Sequence, residues 1–246
     1  MCGPSRDKGS KRHVLDLVHS PTFESVLNGL LAKDGIYLAT PDHRRPCGRS
    51  TAADWAEYSL ENYLGRHPLR PVQMNRKWWI EHKGRHPQWD LLCHIVVRKT
   101  PGLLLVEAKA HESELAEQDE KSDPDPASVD SQENDQQIRQ RIEETNTNLH
   151  GLGIGTFALS ADHHYQLANR LAYLNKLASL GIPTVLLYLG WLQSPDWPVD
   201  YLRDAAHWDQ VMSDYMKDVV PATFPGQVFQ TPAGGSMLML IRSLPV

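Results

Sequence analysis

Through much of this chain apolar residues recur at helical spacing, but between Leu91 and Ala108 they run almost without a break. Two segments rich in Val, Ile and Leu, residues 88–98 and 102–109, flank Lys99-Thr100-Pro101-Gly102, whose Pro-Gly pair predicts a turn. The pattern is that of a hairpin. Strand alternation puts Leu103, Leu105, Glu107 and Lys109 on one face and Leu104, Val106 and Ala108 on the other. Both faces are apolar for most of their length, so this strand is expected to be central and covered on both sides. A two-residue or a four-residue loop gives the same parity across the hairpin, and that parity places Asp90 on the face of Glu107 and Lys109.

Weaker patterns fill the rest. A helix is expected over 52–64, capped by Ser50 or Thr51 and ended by Gly65, with Ala53, Ala56, Leu60, Tyr63 and Leu64 as its stripe. Residues 72–82, around Trp78-Trp79-Ile80, read as a first core strand. Residues 111–135 are acidic, contain Pro124 and Pro126, and predict a long loop or disordered insertion. A polar helix over 136–150, a strong helix over 162–180 and a buried strand over 183–192 follow, and a right-handed crossover would set that strand parallel to a neighbour. A short helix over 205–219 and an apolar strand over 237–241 come last. The expectation is an α/β protein with a central mixed sheet of four or five strands flanked by helices. Its core spans 51–192, with a polar tail over 1–12 inside an N-terminal extension (1–50) and a C-terminal extension (193–246) packed on the core. No repeat appears, and Gly151, Gly153 and Gly155 do not follow a strand into a phosphate-binding helix.

Composition bounds the class. At 246 residues, 41% hydrophobic and 22% charged, the chain has room for one large domain with extensions. No stretch approaches a membrane span, the first residues lack the apolar core of a signal peptide, and Cys2, Cys47 and Cys93 stand at unrelated spacings. A cytoplasmic protein without a disulfide framework is expected. The net charge of −5 hides an uneven distribution. Residues 1–110 carry 17 basic against 11 acidic side chains, whereas 111–135 carry one against ten. The half that holds the hairpin is basic, which is compatible with a phosphate backbone as partner.

At the end of that hairpin two carboxylates and one lysine converge. A Glu-x-Lys alone is an ordinary ion pair; the buried strand and Asp90 turn it into a hard-cation site. Asp90 and Glu107 suit Mg²⁺ or Mn²⁺, and the backbone carbonyl of Ala108 is a further candidate ligand. Lys109 would stabilise charge on a phosphate or position the attacking water. Glu57 falls on the apolar stripe of the 52–64 helix and needs a partner there; Glu61, one turn on and nearer the polar edge, competes with it. Gln166 and Arg170, four apart, share a helix face, where a surface hydrogen bond or salt bridge is the plain reading. His163-His164 is adjacent and makes a poor metal pair.

Asp90 followed by Glu107-Ala108-Lys109 resembles the PD-(D/E)xK nuclease superfamily, the restriction-endonuclease-like fold, over roughly residues 51 to 192. Glu107-Ala108-Lys109-Ala110-His111 with Tyr165-Gln166-Leu167-Ala168-Asn169-Arg170 is similar to a bacterial branch of it. Trp89 stands where the motif's name has Pro. The resemblance implies a Mg²⁺-dependent (or Mn²⁺-dependent) nuclease acting on DNA, with Asp90, Glu107, Lys109 and a carboxylate on the first core helix, Glu57 or Glu61, as its catalytic set. It implies an accessory or substrate-binding role for Gln166 and Arg170. RNA or a nucleotide as substrate, an inactive nucleic-acid-binding or scaffold module, and a homodimer all stay open.

Overall fold

The computed structural model describes residues 8–41, 43–46, 58–65, 77–116 and 120–246. In chain order they form α1 (Gly9–His19), α2 (Phe23–Leu31), β1 (Ile36–Leu38), β2 (Tyr58–Ser59), α3 (Leu60–Gly65) and β3 (Gln88–Trp89). Next come β4 (Leu91–Val97), β5 (Thr100–Lys109), α4 (Ser113–Ala116), α5 (Val129–His150) and α6 (Tyr165–Ser179). The chain ends with β6 (Thr184–Leu192), α7 (Ala205–Met216), β7 (Val228–Gln230) and β8 (Ser236–Pro245). The protein is α/β, with a mixed six-stranded sheet in the order β1-β4-β5-β6-β8-β7 and a separate β2-β3 ribbon. β5 runs parallel to β6 and β6 to β8; the other pairings are antiparallel.

The β4–β5 hairpin sets the frame. Its turn is not at Pro101-Gly102: Val97 pairs with Thr100, leaving Arg98 and Lys99 as a two-residue loop with φ of 47° and 78°. A tight hairpin needs such left-handed backbone to match the strand twist. Gly102 lies inside β5 for another reason. A Cβ there would sit 2.3 Å from the carbonyl oxygen of Pro183, where the chain enters β6 and accepts the Leu103 N–H at 2.9 Å.

Strand alternation then builds two cores. Leu104, Val106 and Ala108 pack with Leu91, Cys93 and Ile95 against α1 and α2, where Phe23, Leu27 and Leu31 recur every fourth residue. Leu103 and Leu105 face the opposite way, with Leu186 and Tyr188, against Leu171 and Leu174 of α6 and Trp208 of α7. Glu107 and Lys109 end β5 on this second face, beneath α6.

Several expectations are corrected. Trp78, Trp79 and Ile80 are buried but form no strand, the two tryptophans packing on Tyr173, and the strand beside β4 is β1 instead; residues 71–76 lie outside the described residues. The described part of the 52–64 helix opens with Tyr58–Ser59 as a strand, because those residues pair with Gln88–Trp89, and the helix is only Leu60–Gly65. The polar tail over 1–12 turns helical at Gly9, and α6 begins at Tyr165 rather than at 162. α5 starts inside the acidic segment, capped by Ser128, and so takes its last seven residues. Its buried face is partly polar. Asn134 accepts the backbone N–H groups of Glu81 and His82, and Asn146 bonds the Leu159 backbone in both directions, which hides the helix from a purely apolar pattern. The sheet has six strands because β8 pairs with β6 along its length and β1 pairs with β4, both from segments expected as extensions. Among the described residues no helix is long and apolar enough to cross a membrane.

The Gly102 contact is testable. Gly102→Ala forces β5 and the Pro183 carbonyl apart and should cost about 1–3 kcal/mol of stability, read as a lower denaturation midpoint with an unchanged slope.

Candidate functional site

β3 breaks at Asp90 before β4 begins, and the register Leu91 to Val106 sets Asp90 opposite Glu107. Asp90 uses its side chain where the ladder would continue: Oδ2 accepts the Ala108 N–H at 2.7 Å. Ala108 therefore meets the site through its backbone, while its methyl group faces the α1–α2 core. Glu107, 3% exposed, has both oxygens engaged. Oε1 accepts from Lys109 Nζ at 2.8 Å, and Oε2 accepts from Arg170 Nε at 2.8 Å and Nη2 at 2.6 Å. Arg170 rises from α6, donates Nη2 to the Gln88 carbonyl at 2.6 Å and Nη1 to Asn169 at 2.9 Å, and lies over the Trp89 ring at 4.3 Å. Through Arg170 these contacts join α6 and the chain around Gln88 and Trp89 to the end of β5.

Electrostatics follow from this packing. Burial acts most strongly on the Glu107 carboxyl and would raise it, but Arg170 and then Lys109 together outweigh burial and hold it below the ordinary carboxylate range. The Arg170 guanidinium loses hydration, yet Glu107 beside it raises its proton affinity. Burial pushes the Tyr165 phenol up to about 12 and the Tyr188 phenol well above its usual range. Two carboxylates, Asp90 and Glu107, thus meet two cations, Lys109 and Arg170.

Asp90, Glu107, Lys109, Gln166 and Arg170 all line one cleft of about 730 Å³, together with Arg85, His86, Glu114, Lys121 and Tyr165. Of the two residues on the α6 face, neither is a surface side chain: Gln166 and Arg170 are both buried. Glu61 is placed elsewhere. It is buried rather than at a polar edge, its Oε1 accepts the Tyr173 hydroxyl at 2.6 Å, and it does not line the cleft. Glu57 lies outside the described residues. His111 of the Glu-Ala-Lys-Ala-His run is spent on structure: it stacks on Trp197 at 4.1 Å and bonds Ser113 at 3.0 Å, beside Asp200.

The donor set suits a hard cation. Arg170 fills Glu107 Oε2, but Oε1 keeps one lone pair beyond Lys109, and Asp90 offers a second carboxylate. Mg²⁺ takes only one or two protein carboxylates and keeps its waters. Among the described residues no third carboxylate or imidazole joins this pair; the group that meets such a spacing is His82, Asp130 and Glu133 near the start of α5.

Asn169 and His86 are among the cleft residues that the sequence did not single out. Asn169 stands three after Gln166 on the same helix face, so the wheel held the signal. His86 had none, because only the fold brings residues 85–88 to the end of β5. Comparison with protein-family models, curated proteins and solved structures finds no match to this chain.

Glu107→Gln leaves Arg170 buried without its counter-ion and should destabilise the fold by about 3–5 kcal/mol near neutral pH. Because the folded-state carboxyl titrates below its ordinary value of 4.5, this stabilisation is complete above that value and is lost as pH falls through the depressed one. Denaturant melts of both proteins should therefore converge in acid; a gap that stays constant down to about pH 2 would remove the charge-based account.

Proposed function

We propose that this chain is a metal-dependent phosphodiesterase that hydrolyses nucleic acid, DNA foremost, on a restriction-endonuclease-like core. The observation that carries the reading is the convergence of Asp90, Glu107 and Lys109 at the end of a central strand, on an open cleft that also presents Arg85 and Lys121. Asp90 and Glu107 Oε1 would hold Mg²⁺ or Mn²⁺. When bound, such an ion polarises a phosphoryl oxygen and lowers the proton affinity of a water. The rest is done by the chain. Arg170 fixes Glu107 from the side away from Lys109 and keeps it ionised. Lys109 Nζ, held at 2.8 Å from Glu107, stands ready to hold the attacking water or to counter charge on the phosphate. Gln166 and Asn169 offer the phosphate backbone polar contacts from α6. The cytoplasmic setting expected from the sequence belongs to this reading.

One observation favours a second reading. Glu107 already carries two cations and the cluster is close to neutral, as a purely structural ion network would be. In that case the module binds or scaffolds without cutting.

Incubation with plasmid, linear duplex and single-stranded DNA separates the two readings. Cleavage is expected with Mg²⁺ or Mn²⁺ and none with EDTA. Lys109→Ala should cost about two orders of magnitude in cleavage rate, and Asp90→Asn should abolish it while the protein stays folded. Mn²⁺ should raise the melting temperature of the wild type and leave Asp90→Asn unmoved, since an ion bound only by the folded state stabilises it. A metal-independent melt together with intact DNA under all conditions would leave only the structural reading.

A further inference from the structure

His86 stands two residues before β3 and is tied to the site through the backbone. Gln88 Nε2 donates to the His86 carbonyl at 2.9 Å, and the Gln88 carbonyl is the one that Arg170 grips. Its ring has two differently placed edges. Nδ1 is buried, 3.1 Å from Glu61 Oε1 but off the line of a full hydrogen bond. His86 lines the cleft and its side chain is 22% exposed, so with Nδ1 buried the opposite edge, with Nε2, is the one left to the cleft. Among the described residues of the cleft it is the one histidine.

Glu61 is built for this neighbour. Its side chain is 6% exposed, Oε1 takes the Tyr173 hydroxyl, and Oε2 is buried with no hydrogen-bond partner. A buried carboxylate that is half satisfied needs positive charge nearby, and the imidazole stands at that distance. A histidine oriented by a carboxylate on one nitrogen and open to a cleft on the other is the arrangement of a proton-transfer group.

We infer that His86, oriented by Glu61, donates a proton from Nε2 to the oxygen that leaves phosphorus in the hydrolytic reaction. This rests on the phosphodiesterase reading above. A water oxygen forms the new bond to phosphorus and releases its proton to solvent, while the bond from phosphorus to the sugar oxygen breaks. The His86 proton passes to that departing oxygen as it takes the electron pair. The neutral ring then regains a proton from solvent, and no oxidant or further reactant is needed. The other cleft groups fit the task less well. Tyr165, pushed up to about 12 by burial, holds its proton too firmly, and Lys109 is committed to Glu107 on the nucleophile's side. His86 is then a catalytic residue and Glu61 a positioning residue.

A change of leaving atom tests the assignment. A duplex is prepared with the bridging oxygen at the mapped cleavage position replaced by sulfur, because a thiolate departs without a proton. On the ordinary duplex His86→Ala should lose about a hundredfold in single-turnover rate, whereas on the sulfur-bridged duplex it should cut nearly as fast as the wild type. Glu61→Gln should show the same selectivity on a smaller scale. His86→Gln carries the test if the alanine variant fails to show a cooperative melt. Equal losses on both duplexes, or none on either, would overturn the inference, since a residue that only grips phosphate or supports the fold does not distinguish the leaving atoms. A wild type that cuts neither duplex with Mn²⁺ would instead remove the hydrolytic reading itself.

Discussion

Glu107 is a carboxylate at the end of a strand whose preceding four residues are inaccessible to solvent, and its charge is tolerable there only because Arg170 and Lys109 reach it. That requirement ties distant stretches of chain together. Arg170 must come from α6, so α6 has to lie over the end of β5. The same guanidinium takes the Gln88 carbonyl and covers Trp89, so the chain entering β4 is fixed as well. Asp90 is then held opposite Glu107 by the Ala108 N–H. Three segments that are separate in sequence acquire one geometry because one buried charge has to be satisfied.

The sheet makes this economical. β5 is flanked by β4 on one side and β6 on the other, and its alternating side chains feed separate cores. Where the apolar run ends, the end of β5 and the polar face of α6 line the cleft together. Polar groups at that point are buried enough to have fixed positions and open enough to meet a ligand. His86 and Glu61 extend the same logic one layer outward. The strand pairing of Tyr58 and Ser59 with Gln88 and Trp89 sets the buried Glu61 beside the His86 imidazole, and His86 in turn lines the cleft.

The central hairpin, the two-sided burial of β5, and the convergence of Asp90 with Glu107 and Lys109 were legible because strand periodicity is a local rule that needs only the order of residues. Gln166 and Arg170 were legible as a pair on one face for the same reason. Elements whose identity depends on distant partners were not. Tyr58 and Ser59 are a strand only because Gln88 and Trp89 lie beside them. The start of α5 was hidden because its buried face is completed by asparagines that satisfy backbone groups from other segments. Pro101-Gly102 suggested a turn, yet Gly102 is needed where Pro183 crosses it.

The sequence by itself determined the α/β class, the central hairpin and which side chains share a face of it, since alternation and helical spacing are properties of the backbone. Tertiary structure decided what those side chains meet. It assigned both oxygens of Glu107 to Lys109 and Arg170, turned Glu61 toward Tyr173 and His86, and placed β8 beside β6 as an integral strand. A buried charge or an open strand edge states only that a partner is required. Which residue supplies it depends on three-dimensional packing, because many side chains along the chain have the chemistry and only folding brings one of them within hydrogen-bonding distance.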